Sequence, residues 1–160
     1  MEHFEHPMRP LAYNPSFALN AICPYFTMFP LEYPLKVLRK HRVAKPVVVD
    51  PFCGRGTTLF AARTLGLESW GIDTSPVAVA IAKAKLSNST AEDALCLAQL
   101  LILATKPEHV PQSKFFKAAY HRKTLRQICA LREGLLEIED TDETVMLKAA
   151  VLGCLHGPIL

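Results

Sequence analysis

Hydrophobic and polar positions along the chain form two short apolar runs, followed by a series of longer helical periods. Val47-Val48-Val49 is a β-branched run of strand length that ends in an acid, Asp50. It predicts a short buried strand over 47–50. A second run, Ser69 to Asp73, contains Trp70 and Ile72 and also ends in an acid. Between them, Thr57 to Leu65 predicts a helix, and Gly66 stands where a glycine commonly follows a helix end. Upstream, Tyr33 to Lys40 predicts a short helix with Pro34 in its first turn. Downstream, Ser75-Pro76 is a cap followed by a proline at the first helical position, opening a helix over 76–86 with Lys83 and Lys85 near its end. Ser89-Thr90-Ala91-Glu92 and Asp140-Thr141-Asp142-Glu143 are capping-box patterns for helices to about Thr105 and about Leu155. Phe115 to Leu136 predicts one further helix, and Gly157-Pro158 breaks the last one. No run after Asp73 predicts a strand.

Residues 1–34 depart from this pattern. Six prolines punctuate them, and proline removes a donor and fixes φ, so long helices and central strands are not expected. Phe17, Tyr25, Phe26, Met28, Phe29 and Tyr33 make the stretch too apolar for a solvated tail. It reads as an ordered arm lying over something, either as packing or as the wall of a pocket.

Composition narrows the class. The chain has 160 residues, half of them hydrophobic, which suits one domain with a core. Its formal charge of +3 permits a nucleic-acid partner without demanding one. Five cysteines are scattered with no C-x-x-C pair, which argues for reduced thiols in a cytoplasmic protein and against a zinc site. The first residues lack the basic-then-apolar order of a signal peptide. The longest apolar run, Ala94 to Ala104, is too short to span a bilayer, which needs roughly 20 residues. A soluble protein with no metal is therefore expected.

Asp50 to Thr58 carries the chemistry. Gly54 and Gly56 allow a tight turn and close backbone approach, and the following helix offers free N–H groups. Lysine does not follow the glycines, against a triphosphate-binding P-loop. A dinucleotide fingerprint needs a third glycine where Leu59 stands. Asp50 at the strand end would repel a pyrophosphate and attract an ammonium. Asp73 lies close to the ~20-residue spacing expected of an acid that binds ribose hydroxyls. S-adenosylmethionine offers an α-amino group, a carboxylate, a sulfonium and a ribose diol.

These residues resemble a known family. Asp50-Pro51-Phe52-Cys53-Gly54-Arg55-Gly56-Thr57-Thr58 is similar to the D-P-F-x-G-x-G-T-T motif of S-adenosylmethionine-dependent DNA methyltransferases that modify exocyclic amino groups of adenine or cytosine. Gly71-Ile72-Asp73-Thr74-Ser75-Pro76 resembles the family's next motif, and Thr27-Met28-Phe29-Pro30 the aromatic-proline segment that closes over the cofactor. The resemblance implies that Asp50, Pro51, Phe52, Gly54 and Gly56 line the methionine end. Thr57 and Thr58 would bind its carboxylate, and Asp73, with Thr74 and Ser75 nearby, would hold the ribose. Phe29 and Pro30 would pack on the cofactor. Cys53 occupies a variable position and has no nucleophilic role by this resemblance.

The family's catalytic D/N/S-P-P-Y/F/W motif has no counterpart, since the chain contains no Pro-Pro pair. Asn14-Pro15-Ser16-Phe17 is the nearest approach, and a local turn anchoring Phe17 is the better account of it. The expectation is an α/β, partial Rossmann-like methyltransferase fold with a small parallel sheet and a predominantly helical C-terminal half. It divides into an arm (1–34), a cofactor-binding core (35–86) and a helical region (87–160) of one incomplete domain. Remaining strands and the catalytic motif would then come from further chain or from a second polypeptide completing the sheet. A non-catalytic partner, and a methyltransferase acting on RNA or a small molecule, are the alternatives. Lys114, Lys117, His121, Arg122, Lys123 and Arg126 form a basic cluster, read as either a solvated face or a contact with DNA phosphates. Asp73→Ala is expected to weaken cofactor binding far more than it lowers stability.

Overall fold

The computed structural model describes residues 15–23, 28–41 and 46–155. Within them a 3-10 helix, Pro15–Ala21, precedes α1 (Glu32–Lys40), β1 (Val47–Asp50), α2 (Thr57–Thr64), β2 (Glu68–Gly71) and α3 (Pro76–Leu86). Four helices follow: α4 (Ala91–Ala104), α5 (Lys114–Ala119), α6 (Arg122–Glu137) and α7 (Asp142–Leu155). The class is α/β, with a two-stranded parallel sheet and a helical C-terminal half. Val47 pairs with Glu68 and Asp50 with Gly71, so both strands end on the same rim.

Three apolar clusters hold these elements. Leu31, Leu35, Phe60 and Ala61 join α1 to α2. Cys53, Leu59 and Ala82 join the turn, α2 and α3. Ala94, Leu101, Leu135, Met146 and Leu147 join α4, α6 and α7. Each fully covered Leu, Met or Phe stabilises by about 1.5–3 kcal/mol relative to exposure. α7 also packs on α3, which connects the helical half to the sheet side.

Several expectations are corrected. β1 is not a buried strand: Val47 is 50% and Val49 61% exposed. Side chains alternate across a sheet, and α2 packs on one face. Among the described residues, Val47, Val49 and Trp70 on the other face stay exposed. β2 spans 68–71 rather than 69–73, although Ile72 N–H still donates to the Asp50 carbonyl at 3.0 Å. The helix predicted over 115–136 is two helices. Tyr120 is extended (φ −134°, ψ 140°), and the His121 side chain caps α6 by accepting from Lys123 N–H. Both later caps slide by one residue. Thr90 and Asp93 form the capping box of α4, and Thr141 rather than Asp140 accepts from Thr144 N–H at the start of α7. Asp140 instead pairs with Lys83 at 2.7 Å and Lys148 at 2.5 Å, fastening α3 to α7. Asn14, Thr27 and the Gly157-Pro158 break lie outside the described residues.

Candidate functional site

The two strand ends and the turn between them form one hydrogen-bonded unit. Asp73 accepts from Gly54 N–H through Oδ2 at 2.8 Å and from Ser75 N–H through Oδ1 at 2.9 Å. The Ser75 and Gly54 bonds hold its carboxyl below the usual carboxylate range. A carboxylate has about four acceptor positions, so these bonds do not exhaust it. Asp50 sits at the end of β1 and accepts from Phe52 N–H at 3.2 Å. The bond between Cys53 N–H and the Ile72 carbonyl, 3.0 Å, closes the turn onto the second strand's exit.

The two glycines of the turn do different work. Both are left-handed, at φ +49° for Gly54 and +69° for Gly56. A Cβ on Gly54 would meet nothing within 4 Å, so this backbone faces open space. A Cβ on Gly56 would lie 2.9 Å from the Ala82 Cβ, so Gly56 lets the turn rest on α3. Gly56 is also the N-cap of α2 and supplies no side-chain cap, leaving first-turn N–H groups of α2 available. Gly71 is a third packing glycine: a Cβ there would collide with Leu59 and come within 3.1 Å of Cys53.

The remaining expected site residues divide. Pro51 is exposed, and Phe52, at 88% exposed, stands out from the rim. Thr57 is buried, whereas Thr58 is half-buried. Thr74 is exposed, and Ser75 spends its hydroxyl on capping α3, accepting from Ala78 N–H at 3.4 Å. Phe29 and Pro30 are exposed, and Phe29 stacks edge-on against Tyr33 with ring centres 6.0 Å apart. Cys53 is buried, and burial followed by the charges of Asp73 and Asp50 pushes its thiol up, which leaves it a poor nucleophile.

One group was missed by sequence reasoning. Lys85, which the sequence placed near the end of its helix without a role, is fully buried. Its ammonium donates to Asn20 Oδ1 at 2.9 Å and to Met28 Sδ at 3.6 Å. Burial, reinforced by the nearby Arg55 charge, pulls its pKa down to about 7. Lys85 thereby ties the 3-10 helix and the arm to α3. The available signal was the apolar character of α3 on nearly every side, which leaves little room for both of its lysines, Lys83 and Lys85, to face water.

The geometry is a glycine turn between two acids at the carboxyl ends of adjacent parallel strands, the place where open α/β sheets bind ligands. Residues 9–84 match the family described as DNA methylase. The type II methyltransferase M.MjaII of Methanocaldococcus jannaschii is 37% identical over 68 residues, which are 42% of this chain and 13% of that protein. Over residues 9–84, just under half of the chain, these matches support the DNA amino-methyltransferase family. No solved structure matches the chain. Among the described residues no helix is long and apolar enough to cross a membrane, and no group of three or more His, Cys, Asp or Glu could hold a metal ion.

Proposed function

We propose that this chain is the S-adenosylmethionine-binding portion of a DNA methyltransferase acting on a base amino group. The observation that carries the reading is the placement of Asp50 and Asp73 on either side of a turn whose Gly54 faces open space. That arrangement suits a ligand with an ammonium at one end and a diol at the other. Asp50 would take the ammonium. Gly54 would allow close backbone approach, and the first-turn N–H groups of α2, at Thr57 and Thr58, would receive the carboxylate. Thr57 would act through its backbone, because its side chain is covered. Asp73 would accept from the ribose hydroxyls with its spare positions, beside Thr74 and Ser75. Pro51, Phe52 and Gly56 would shape the rim, with Phe29 and Pro30 reaching in from the arm. When bound, the cofactor supplies an electrophilic methyl group on its sulfonium. The base-facing residues of the transfer step are assigned outside this chain, because the sequence has no Pro-Pro pair.

A second reading places this chain beside another polypeptide. The uncovered sheet face, with Val49 at 61% and Trp70 at 64% exposed, supports it.

Calorimetric titration of S-adenosylmethionine into the full chain tests the first reading. Saturable binding by the parent, at least about tenfold weaker in Asp73→Asn, is expected from the loss of charge-assisted hydrogen bonds. No heat from the parent would sink it.

A further inference from the structure

The surface between α4, α5 and α6 lies beyond the family match, and its charge is lopsided. Residues 106–126 hold six of the chain's 18 Lys and Arg and one of its 15 acids, so the rest of the chain is net acidic although the whole is +3. Lys106, Lys123 and Arg126 line a hollow of about 350 Å³. Lys117, Arg122 and Arg126 line a second of about 520 Å³, with Tyr120 beside them. The two share Pro107 and Arg126, so they form one continuous groove; among the described residues no acid lines either part, and Glu108, Glu133 and Glu137, which line the adjoining hollow beyond Lys106, bound the groove at that end.

Two features mark this groove. All five cations are exposed, and among the described residues their side chains make no ion pair or hydrogen bond. Elsewhere pairing is mixed: Lys83 and Lys148 share Asp140, and Arg63 donates to the Lys85 carbonyl and to Asn88, while Lys36, Arg39 and Lys40 on α1 are exposed without an ion pair or side-chain hydrogen bond among the described residues. The second feature is orientation. Arg122 and Lys123 occupy the first turn of α6, which contains no acid, and the last turn contains no base. Positive charge at a helix N-terminus opposes the macrodipole, so helix stability does not account for this placement.

We propose that the groove formed by Lys106, Lys117, Arg122, Lys123 and Arg126 seats the phosphate backbone of duplex DNA. A row of unpaired cations with no acid among them is complementary to a polyanion of regular charge spacing. The choice of duplex DNA rests on the methyltransferase reading, whereas the preference for a phosphate backbone rests on the groove alone. Backbone binding of this kind sets position and orientation and carries no base sequence.

Fluorescence anisotropy with a labelled duplex of about 20 bp, without cofactor, tests this from about 50 to about 200 mM salt. The triple variant Lys117→Ala, Lys123→Ala, Arg126→Ala changes only exposed side chains, and circular dichroism checks its fold. It should bind at least about tenfold more weakly at the low-salt end, with a salt slope shallower by about 2–3, near 0.9 for each phosphate that is no longer neutralised. A control variant, Lys36→Ala, Arg39→Ala, Lys40→Ala on α1, should leave the slope unchanged. An unchanged slope in the groove variant, or a weakening confined to the α1 variant, overturns the proposal. So does a duplex RNA of the same length binding about tenfold tighter than the DNA. Cofactor titration of the groove variant should match the parent, which keeps this result distinguishable from failure of the cofactor reading.

Discussion

Asp73 Oδ2 accepts a 2.8 Å hydrogen bond from Gly54 N–H, nineteen residues earlier. One carboxylate therefore holds the glycine turn and the exit of the second strand in register. This alters the expectation for Asp73→Ala, because the side chain is a brace as well as a candidate ligand. The alanine variant should lower both the melting temperature and cofactor affinity. Asp73→Asn keeps one oxygen acceptor, so it should melt closer to the parent while still binding at least about tenfold more weakly. Paired thermal melts and titrations separate the two roles, and equal affinities for parent and Asp73→Asn would remove Asp73 from the site.

The turn glycines should separate in the same way. Gly56→Ala forces a Cβ to 2.9 Å from Ala82 at a left-handed φ of +69°, and should destabilise by about 2–4 kcal/mol. Gly54→Ala meets open space, so only the left-handed backbone is penalised, by about 1–2 kcal/mol. Urea midpoints give the order. Cofactor titration of Gly54→Ala then reports whether that open space is used.

Lys85 should make stability depend on pH in an unusual direction. Its folded pKa is lowered to about 7 from an ordinary 10.5. Between those values the unfolded chain binds more protons than the folded one, so stability rises with pH, by at most about 1.4 kcal/mol per unit. Below about pH 7 the folded lysine is charged too, and the penalty is fully present. Lys85→Met should flatten this rise, while leaving Asn20 Oδ1 unpaired at a cost of about 1–3 kcal/mol. Urea titrations at several pH values from 6 to 10 would give the slopes. Equal slopes in parent and variant would contradict the assignment.

Asp140 has the opposite sign. Its bonds to Lys148 and Lys83 hold the carboxyl down to about 2, so its stabilisation is present above the ordinary value of 3.8 and fades as pH falls through 2. The three side chains are 31–53% exposed, so screening limits the effect, and Asp140→Asn should cost under about 1 kcal/mol. The cost should shrink further in high salt, which melts at two ionic strengths would detect.

The uncovered sheet face can be followed directly, because Trp70 is the chain's single tryptophan. At 64% exposed it should be quenched readily by iodide in the isolated protein. A polypeptide that covers this face should shield it, and co-expression with such a partner, followed by quenching, would report the change. Trp70 already shielded in the isolated chain would remove the basis for that second reading. The isolated chain should also transfer no radiolabelled methyl to DNA.

What was legible in the sequence was mostly local. Val47 to Asp50, the glycine pair and Ser75-Pro76 specify their backbone with little help from distant residues, and each stands where it was expected. Burial was less legible, because it depends on what packs above each element. The strand Val47-Val48-Val49 has the composition of an interior strand, yet among the described residues only one of its faces is covered. Lys85 lies at the other extreme, a charged residue enclosed by the arm. The interruption at Tyr120 carries neither glycine nor proline, so nothing in the helical period marked it. Of the candidate site, the acids and the turn could be foreseen. The separate roles of Gly54 and Gly56 could not, since they differ only in whether Ala82 lies beneath them.

The bond between Gly54 and Asp73 also limits how the gene can change. The segment between those residues behaves as a cassette of fixed length. One residue added to or removed from α2 would turn the rest of that helix by about 100°. Phe60 and Ala61 would swing away from Leu31 and Leu35, and Asp73 would lose its register with the turn. The stretch from Lys106 to Ser113 links α4 to α5 without helix or strand, and Glu133 on α6 anchors its first half by accepting from Glu108 and His109 N–H at 2.7 and 3.1 Å. Length variation should therefore be tolerated over 110–113, past that anchor, and excluded between the two motifs, a pattern that a library of single-codon insertions would map.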